Sequence, residues 1–221
     1  MKTAIIFGST GLVGNHLLSL LIKDNYYSKI KIFVRGKINI KNPKVEIIKI
    51  NFKKLDNYSD LIKADDCFFC IGTTKKSTPD KNEYRRVEFD IPVNIASIAK
   101  KNNIISFMYI SSLGSTTKTK NLYLKNKGDV EKALKNLNFS KLSIIRPSLM
   151  LGFRNKFRLG EFIGQIMFKN LSFLFLGSLK KYKAIDAKNV AKAMVNIAKN
   201  DFKNIYFDSD YLHNLSKKYK L

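Results

Sequence analysis

Ile6-Phe7-Gly8-Ser9-Thr10-Gly11-Leu12-Val13-Gly14 is the stretch on which the reading of the fold turns. Upstream of it, Thr3–Phe7 is a short apolar run after a polar start, the pattern of a strand buried on both faces. Downstream, Leu12, Val13, Leu17, Leu18, Leu20, Leu21 and Ile22 form a helical stripe that ends near Lys23. Three glycines at G-x-x-G-x-x-G spacing join the two elements. Gly8 allows a sharp exit from the strand, Gly11 lets backbone N–H groups approach a diphosphate, and Gly14 lets the helix pack closely on the sheet. The helix N-terminus adds partial positive charge where the phosphates would lie. Glycines also mark ordinary turns, so the triplet takes its meaning from standing between a strand and a helix. The expectation is a dinucleotide site at the start of a parallel sheet.

The second strand, Lys29–Val34, bears on which dinucleotide. In an NAD site an Asp or Glu about 20 residues past the loop accepts hydrogen bonds from the ribose 2′-hydroxyl. Here Arg35 holds that place, followed by Gly36 and Lys37, with no carboxylate nearby. A guanidinium pairs well with a phosphate, so NADP is expected in preference to NAD. The competing reading makes Arg35 one more cation of a basic surface.

Further along, strands and helices keep alternating, the signature of a parallel sheet covered on both faces. The series runs Val45–Ile50, a short helix at Leu55–Ile62, Cys67–Ile71, a helix at about Glu83–Lys101 containing Pro92, Ile105–Ile110, a helix near Leu122–Leu137, and Lys141–Ile145. The expected fold is α/β, a Rossmann-type doubly wound parallel sheet with helices on both faces, formed by residues 1–221 as a single domain. Residues 148–185 read as a small C-terminal lobe on the substrate side. There Phe157, Phe162, Ile163, Ile166, Met167 and Phe168 make an apolar face that Leu171, Phe173, Leu174, Phe175 and Leu176 continue. Core packing is the alternative, and the neighbouring Lys169, Lys180 and Lys181 leave peripheral membrane contact open. A helix at Lys188–Lys199, a strand at Asn204–Phe207 and a basic tail complete the chain.

A net charge of +24 on 221 residues invites a nucleic-acid or membrane reading. Arg35, Arg85, Arg86, Arg146, Arg154 and Arg158 are its only arginines, however, and lysines are spread over every segment. Specific nucleic-acid readers concentrate Arg and aromatic residues in one patch, so no specific nucleic-acid partner is expected. No apolar run approaches the ~20 residues needed to span a bilayer. The N-terminus leads into the first strand without a signal-peptide pattern, which places the expected compartment in the cytoplasm. Cys67 and Cys70 form C-x-x-C inside a strand, where neighbours three apart face opposite ways, so they read as core and not as a metal or disulfide pair. His16 and His213 stand alone, and no metal is expected.

Tyr123 and Lys127 are four apart on a helix and share a face. An ammonium beside a phenol favours the phenolate, the arrangement of an acid–base tyrosine. The same lysine can bind the nicotinamide ribose hydroxyls. Ser111 and Ser112 lie just past the fifth strand, at the carboxyl edge where ligands bind in such sheets, and either can steady a substrate carbonyl. Chance supplies about one or two Tyr-x-x-x-Lys matches in a chain this rich in both residues, and Tyr27 with Lys31 is a second instance. The Ser-Ser strand end before Tyr123 is what sets it apart.

Taken together, these residues resemble the atypical short-chain dehydrogenase/reductases, within them the Tat-interacting-protein-like group of NADPH-binding proteins. The resemblance runs from the first strand to about Asn200. It is carried by Tyr-Ser-Lys-Ile (27–30), Cys-Ile-Gly-Thr-Thr (70–74), Asn-Leu-Tyr-Leu-Lys-Asn-Lys-Gly-Asp-Val-Glu (121–131) and Ile-Arg-Pro-Ser (145–148). It implies that Gly8, Ser9, Thr10, Gly11, Leu12, Val13 and Gly14 hold the NADP diphosphate and Arg35 its 2′-phosphate. It also implies that Ile71 and Gly72 line the ribose, that Thr73 is a further cofactor-binding residue, and that Tyr123 and Lys127 are the catalytic pair. Met150 and Arg158 match positions that close over the nicotinamide end, and Asn51 stands where many relatives have an Asp against the adenine amino group. An NADP-dependent oxidoreductase acting on a small carbonyl or sugar-like substrate is the activity implied. The group includes proteins better known for regulation than turnover, so an NADPH-binding regulator is the alternative, and a nucleotide-sugar epimerase or dehydratase another. A homodimer or a protein partner is compatible with either.

Overall fold

The computed structural model describes residues 1–152 and 177–219. Seven parallel strands form one sheet: β1 (Lys2–Phe7), β2 (Tyr27–Val34), β3 (Val45–Lys49), β4 (Asp66–Phe69), β5 (Ser106–Ile110), β6 (Lys141–Arg146) and β9 (Tyr206–Asp208). Their spatial order is β3-β2-β1-β4-β5-β6-β9. The order reverses between β1 and β4, which opens a crevice at the carboxyl ends of those two strands. A separate parallel pair joins β7 (Met150–Leu151) to β8 (Ile185–Asp186).

Alternation along each strand sends neighbouring residues into opposite layers. Ala4, Ile6, Ile32, Phe68, Met108, Ile145 and Phe207 pack with α1 (Leu12–Lys23), α5 (Ala187–Lys199) and α6 (Ser209–Lys217). Ile5, Phe7, Phe33, Cys67, Phe69, Phe107, Tyr109 and Ile144 pack with α3 (Ile91–Lys101) and α4 (Leu122–Asn136) on the other face. Each such buried aliphatic or aromatic side chain contributes roughly 1.5–3 kcal/mol, so the central strands hold both layers. Cys67 and Cys70 fall in opposite layers and are free.

Three expectations from the sequence change. The fourth strand ends at Phe69 rather than Ile71, because beyond Cys70 the chain turns into the loop facing Gly8. The helix expected at about Glu83–Lys101 is composite: α2 (Lys81–Arg85), one wide π turn at Arg86–Asp90, then α3. Pro92 explains the wide turn, since it has no N–H and its ring would strike the carbonyl four residues back; the Ile91 N–H reaches back to the Arg86 carbonyl instead. The basic tail contains the amphipathic helix α6, whose Leu212 and Leu215 are buried against the α1 layer. The apolar residues Phe157 to Leu176, and with them most of the expected 148–185 lobe, lie outside the described residues.

The second Tyr-x-x-x-Lys match is structural. Tyr27 opens β2 at the far edge of the sheet from the glycine loop, and its hydroxyl donates to Asp66 Oδ2 at 2.8 Å. Lys31 donates to the Leu61 and Lys63 carbonyls at 3.1 and 3.2 Å.

Gly14 shows how tightly α1 meets the sheet: a Cβ there would lie 2.1 Å from the Gly8 carbonyl oxygen, whereas one on Gly36 would meet nothing within 4 Å. Gly14→Ala is expected to cost about 3 kcal/mol by overpacking, and Gly36→Ala less than about 0.5 kcal/mol. Urea denaturation of the two variants beside the parent protein measures both; equal midpoints for the two would contradict the close approach.

Candidate functional site

The ends of β1, β2, β3, β4 and β5 surround the crevice. After β1, Gly8 takes φ +86° and turns the chain back so that the Gly11 N–H donates to the Gly8 carbonyl at 3.0 Å. A Cβ at Gly8 would stand 2.8–2.9 Å from the backbone of Cys70 and Ile71, so the loop after β1 lies directly on the loop after β4. Gly11 is the N-cap of α1 in extended conformation, with no side chain capping the helix and no acidic residue in its first turn. The N-terminal N–H groups of a helix need partners, and among the described residues no capping side chain supplies one. Ser9 Oγ is also buried without a partner among the described residues. An uncapped helix start, a buried unpartnered hydroxyl and glycines in place of side chains fit a diphosphate.

Thr10 is exposed, and Leu12 and Val13 open the helix. Leu12 also meets the chain after β7, where a Cβ at Gly152 would lie 2.8 Å from Leu12 Cδ1; this brings half-buried Met150 toward the same end of the crevice. Arg35 and Asn51 follow β2 and β3, whose ends are joined by the Ile50 N–H donating to the Val34 carbonyl at 2.9 Å. Arg35 is exposed and makes no hydrogen bond or ion pair with the described residues. Asn51 Oδ1 accepts from the Lys53 N–H at 2.9 Å, which fixes its side chain and leaves it one lone pair. Arg158 lies outside the described residues.

On the other side of the crevice, α4 begins at Asn121, whose Oδ1 accepts from the Tyr123 and Leu124 N–H groups at 3.0 and 3.2 Å. Tyr123 is 36% exposed, and its hydroxyl has no partner among the described residues. One turn on, Lys127 is buried. Its Nζ lies 3.1 Å from Glu88 Oε2, donates to the Ile110 carbonyl at 3.2 Å, and stands 4.8 Å from the Tyr109 ring centre and 5.9 Å from that of Tyr123. Burial pulls the ammonium down, but Glu88, with Tyr109 and Tyr123 behind it, outweighs burial and leaves Lys127 well above the ordinary lysine range. Burial and the Glu88 charge push Tyr84, on α2, up to about 12. A Cβ at Gly72 would lie 3.5 Å from Glu88 Oε1 and 4.0 Å from Lys127 Nζ. The loop at Ile71, Gly72 and Thr73 therefore borders the Tyr123–Lys127 helix.

The two serines separate sharply. Ser111 is buried, and its Oγ donates to Glu131 Oε1; Ser115 Oγ lies 3.1 Å away and gives its own proton to the Ser112 carbonyl at 2.7 Å. Glu131 in turn receives Arg146, whose Nε lies 2.9 Å from Oε1 and whose Nη2 donates to Oε2. Ser112 is half-buried, with only a long 3.4 Å bond to the Leu113 carbonyl. Ser111 thus serves the clamp between α4 and β6, whereas Ser112 is not tied to a carboxylate. Glu88, Glu131 and Arg146 had no role in the reading of the sequence. The signal for Glu88 was Pro92 four residues on, which forces the wide turn that carries it; Glu131 and Arg146 lay inside the recognised segments but touch only in the folded chain. Burial also pushes the Cys70 thiol, beneath Gly8, up to about 12. Among the described residues no three His, Cys, Asp or Glu side chains converge on a metal position.

A family model described as NAD(P)H-binding matches residues 8–201. Protein HTATIP2 of Rattus norvegicus is 30% identical over 199 residues, covering 88% of this chain and 80% of that protein. The mitochondrial protein FMP52 of Debaryomyces hansenii is 28% identical over 203 residues, covering 89% and 87%. Among solved structures, the UDP-N-acetylglucosamine 4-epimerase of Methanobrevibacter ruminantium superposes with a TM-score of 0.70 at 20% identity, over 96% of this chain and 80% of that one. A thiolation-reductase di-domain from an archaeal non-ribosomal peptide synthetase gives 0.72 at 18% identity, over 94% and 70%. The structural likenesses show a Rossmann-type fold. The chain belongs to the NAD(P)H-binding family, and the resemblance seen in its motifs is upheld.

Glu131→Ala would leave Arg146 without its carboxylate and Ser111 without its charged acceptor. Removing one partner of a buried pair costs about 3–5 kcal/mol; because the Arg146 side chain is 23% exposed, a loss near 3 kcal/mol is expected. Chemical denaturation reads it, and a loss below about 1 kcal/mol would refute the clamp.

Proposed function

We propose that this member of the NAD(P)H-binding family is an NADP-dependent oxidoreductase acting on a small carbonyl or sugar-like substrate. The observation that carries the reading is the convergence, at the sheet's reversal point, of an uncapped glycine-rich helix start with a Tyr–Lys helix, joined through Gly72. In this reading Gly8, Ser9, Thr10, Gly11, Leu12, Val13 and Gly14 hold the diphosphate, and Arg35 the 2′-phosphate. Asn51 serves the adenine side, Ile71, Gly72 and Thr73 the ribose side, and Met150 and Arg158 the nicotinamide end. When bound, the dinucleotide supplies or accepts hydride.

The residues of the chain do the rest. Ser112 Oγ donates to the substrate carbonyl and orients it beside Tyr123. The Tyr123 hydroxyl transfers a proton to the carbonyl oxygen as the alcohol forms, and the reverse reaction returns it. Lys127 presents a fixed positive charge under the Tyr123 ring and donates to the ribose hydroxyls. Cytoplasmic residence remains part of the proposal; among the described residues no helix is long and apolar enough to cross a membrane, and the fungal relatives are named as mitochondrial proteins.

Titration with NADPH and NADH, read by cofactor fluorescence, tests the cofactor. NADPH should bind more tightly, and Arg35→Ala should weaken it by about 10–100-fold, the loss of one charge-assisted contact, with NADH unchanged. Equal binding of the two cofactors would remove Arg35 from the site. In assays across a carbonyl panel, Tyr123→Phe should abolish turnover with NADPH affinity held within about twofold. NADPH binding without turnover on any carbonyl would instead favour the regulatory reading. Interconversion of a nucleotide-linked sugar without net cofactor use would favour an epimerase.

A further inference from the structure

We propose that Glu88 is the positioning residue of this site: its single carboxylate holds Lys127 in place as a cation and anchors the loop on which the ribose side rests. Glu88 is 1% exposed and sits in the wide turn at Arg86–Asp90. In a regular helix the Pro92 ring would collide with the carbonyl of this same residue. The wide turn removes the collision and aims the Glu88 side chain at the carboxyl edge of the sheet. Its two oxygens then take different partners: Oε1 accepts from the Thr73 N–H at 2.5 Å, and Oε2 faces Lys127 Nζ at 3.1 Å. One carboxylate joins the loop after β4 to the helix that carries Tyr123.

The charge arithmetic makes this more than packing. Lys127 is the one lysine in the buried class among the described residues. Among the described residues, the ionisable groups facing it are Glu88 from the wide turn, Tyr84 from α2, Tyr109 from β5 and Tyr123 from its own helix; Arg85 is turned to Asn126 and the Phe89 ring. Glu88 is the only carboxylate in this set. A lysine buried without a counter-charge loses its proton readily, by up to about 3–5 pH units below normal. With Glu88 it stays charged through neutral and moderately alkaline pH. Its ordinary value is near 10.4, so the stabilisation from its raised folded value is complete below that pH and constant between pH 7 and 9.5. Without Glu88 the sign reverses: the folded state then binds fewer protons than the unfolded one, and stability rises with pH.

The role in cofactor binding rests on the oxidoreductase reading, whereas the ion pair does not, and two measurements separate them. In the first, urea unfolding of the cofactor-free protein is compared with Glu88→Gln at pH 7 and 9.5. The variant should be less stable at pH 7, and the gap in midpoints should shrink by at least half at pH 9.5. A gap independent of pH would overturn the proposal. The double variant Glu88→Gln/Lys127→Met replaces the pair by neutral groups and should recover most of the lost stability with no pH dependence. If it is as unstable as Glu88→Gln, or neither variant folds, Lys127 is not what Glu88 holds, and the proposal fails. In the second, NADPH is titrated across the same pH range. The parent protein should bind with nearly constant affinity, Glu88→Gln about tenfold or more weakly with a factor that grows with pH, and Glu88→Asp should restore the flat profile. A flat profile in Glu88→Gln would overturn the positioning role. Failure of the parent protein to bind either dinucleotide would defeat the oxidoreductase reading and with it the cofactor role, while the urea comparison still decides the ion pair.

Discussion

The rest of this structure depends on how closely three backbone segments meet at the end of β1. The Gly8 carbonyl receives the Gly11 N–H, Gly14 lies against it from α1, and the backbone of Cys70 and Ile71 presses on Gly8 from the far side. Side chains would force these segments apart by an ångström or more. Their absence lets the first turn of α1 stand at the level of the sheet edge rather than a side-chain layer above it, the position from which its N–H groups would hold the diphosphate in the proposed function. The same contact fixes the exit of β4, and through Gly72 the distance to α4. Geometry at one glycine thereby sets both halves of the crevice.

Helix α4 is held by a different kind of force. Glu88 and Glu131 are buried carboxylates, each facing one basic group, Lys127 or Arg146, and one neutral donor, the Thr73 N–H or the Ser111 hydroxyl. Desolvating such pairs costs nearly what their attraction returns, so they are poor sources of stability compared with the aromatic layer of Phe7, Phe33, Phe69 and Tyr109. Their value is directional: apolar contacts would let α4 slide, whereas the two ionic contacts fix its rotation and depth. Tyr123, by contrast, is exposed at the start of this helix. The charge of the chain divides accordingly. Its many surface lysines raise the net charge to +24 and are screened by solvent, while one buried lysine acts at short range in a dry environment.

Much of the fold could be read because parallel strands leave an unusually plain trace. Both faces are covered, so runs such as Ala4–Phe7 and Phe107–Ile110 are apolar throughout, and the glycine triplet marks the first crossover. Reading failed where the deciding contact was distant. Helix α6 hid in a lysine-rich tail because Leu212 and Leu215 acquire an apolar neighbour only when α5 and α1 are in place. Tyr27 and Lys31 were indistinguishable by spacing from Tyr123 and Lys127, since a motif four residues long does not say which end of which element it occupies. Ser111 and Ser112 were equivalent on paper, and only the position of Glu131 separates them.

By itself the sequence determined the order of strands and helices, the doubly wound parallel sheet and the NAD(P)H-binding family, because these follow from local periodicity and from glycines that only a backbone crowding explains. It also named the residues at each strand end, since ligand-facing positions in this fold come straight after the strands. The tertiary structure decided the state of those residues: which serine is tied to a carboxylate, which tyrosine is exposed, and which lysine is buried beside a counter-charge. These depend on Glu88 and Glu131, which lie 39 residues before Lys127 and 15 residues before Arg146 in the chain. Electrostatic environment is a property of distance in space and of buried water-free volume, and neither is written in the spacing of letters.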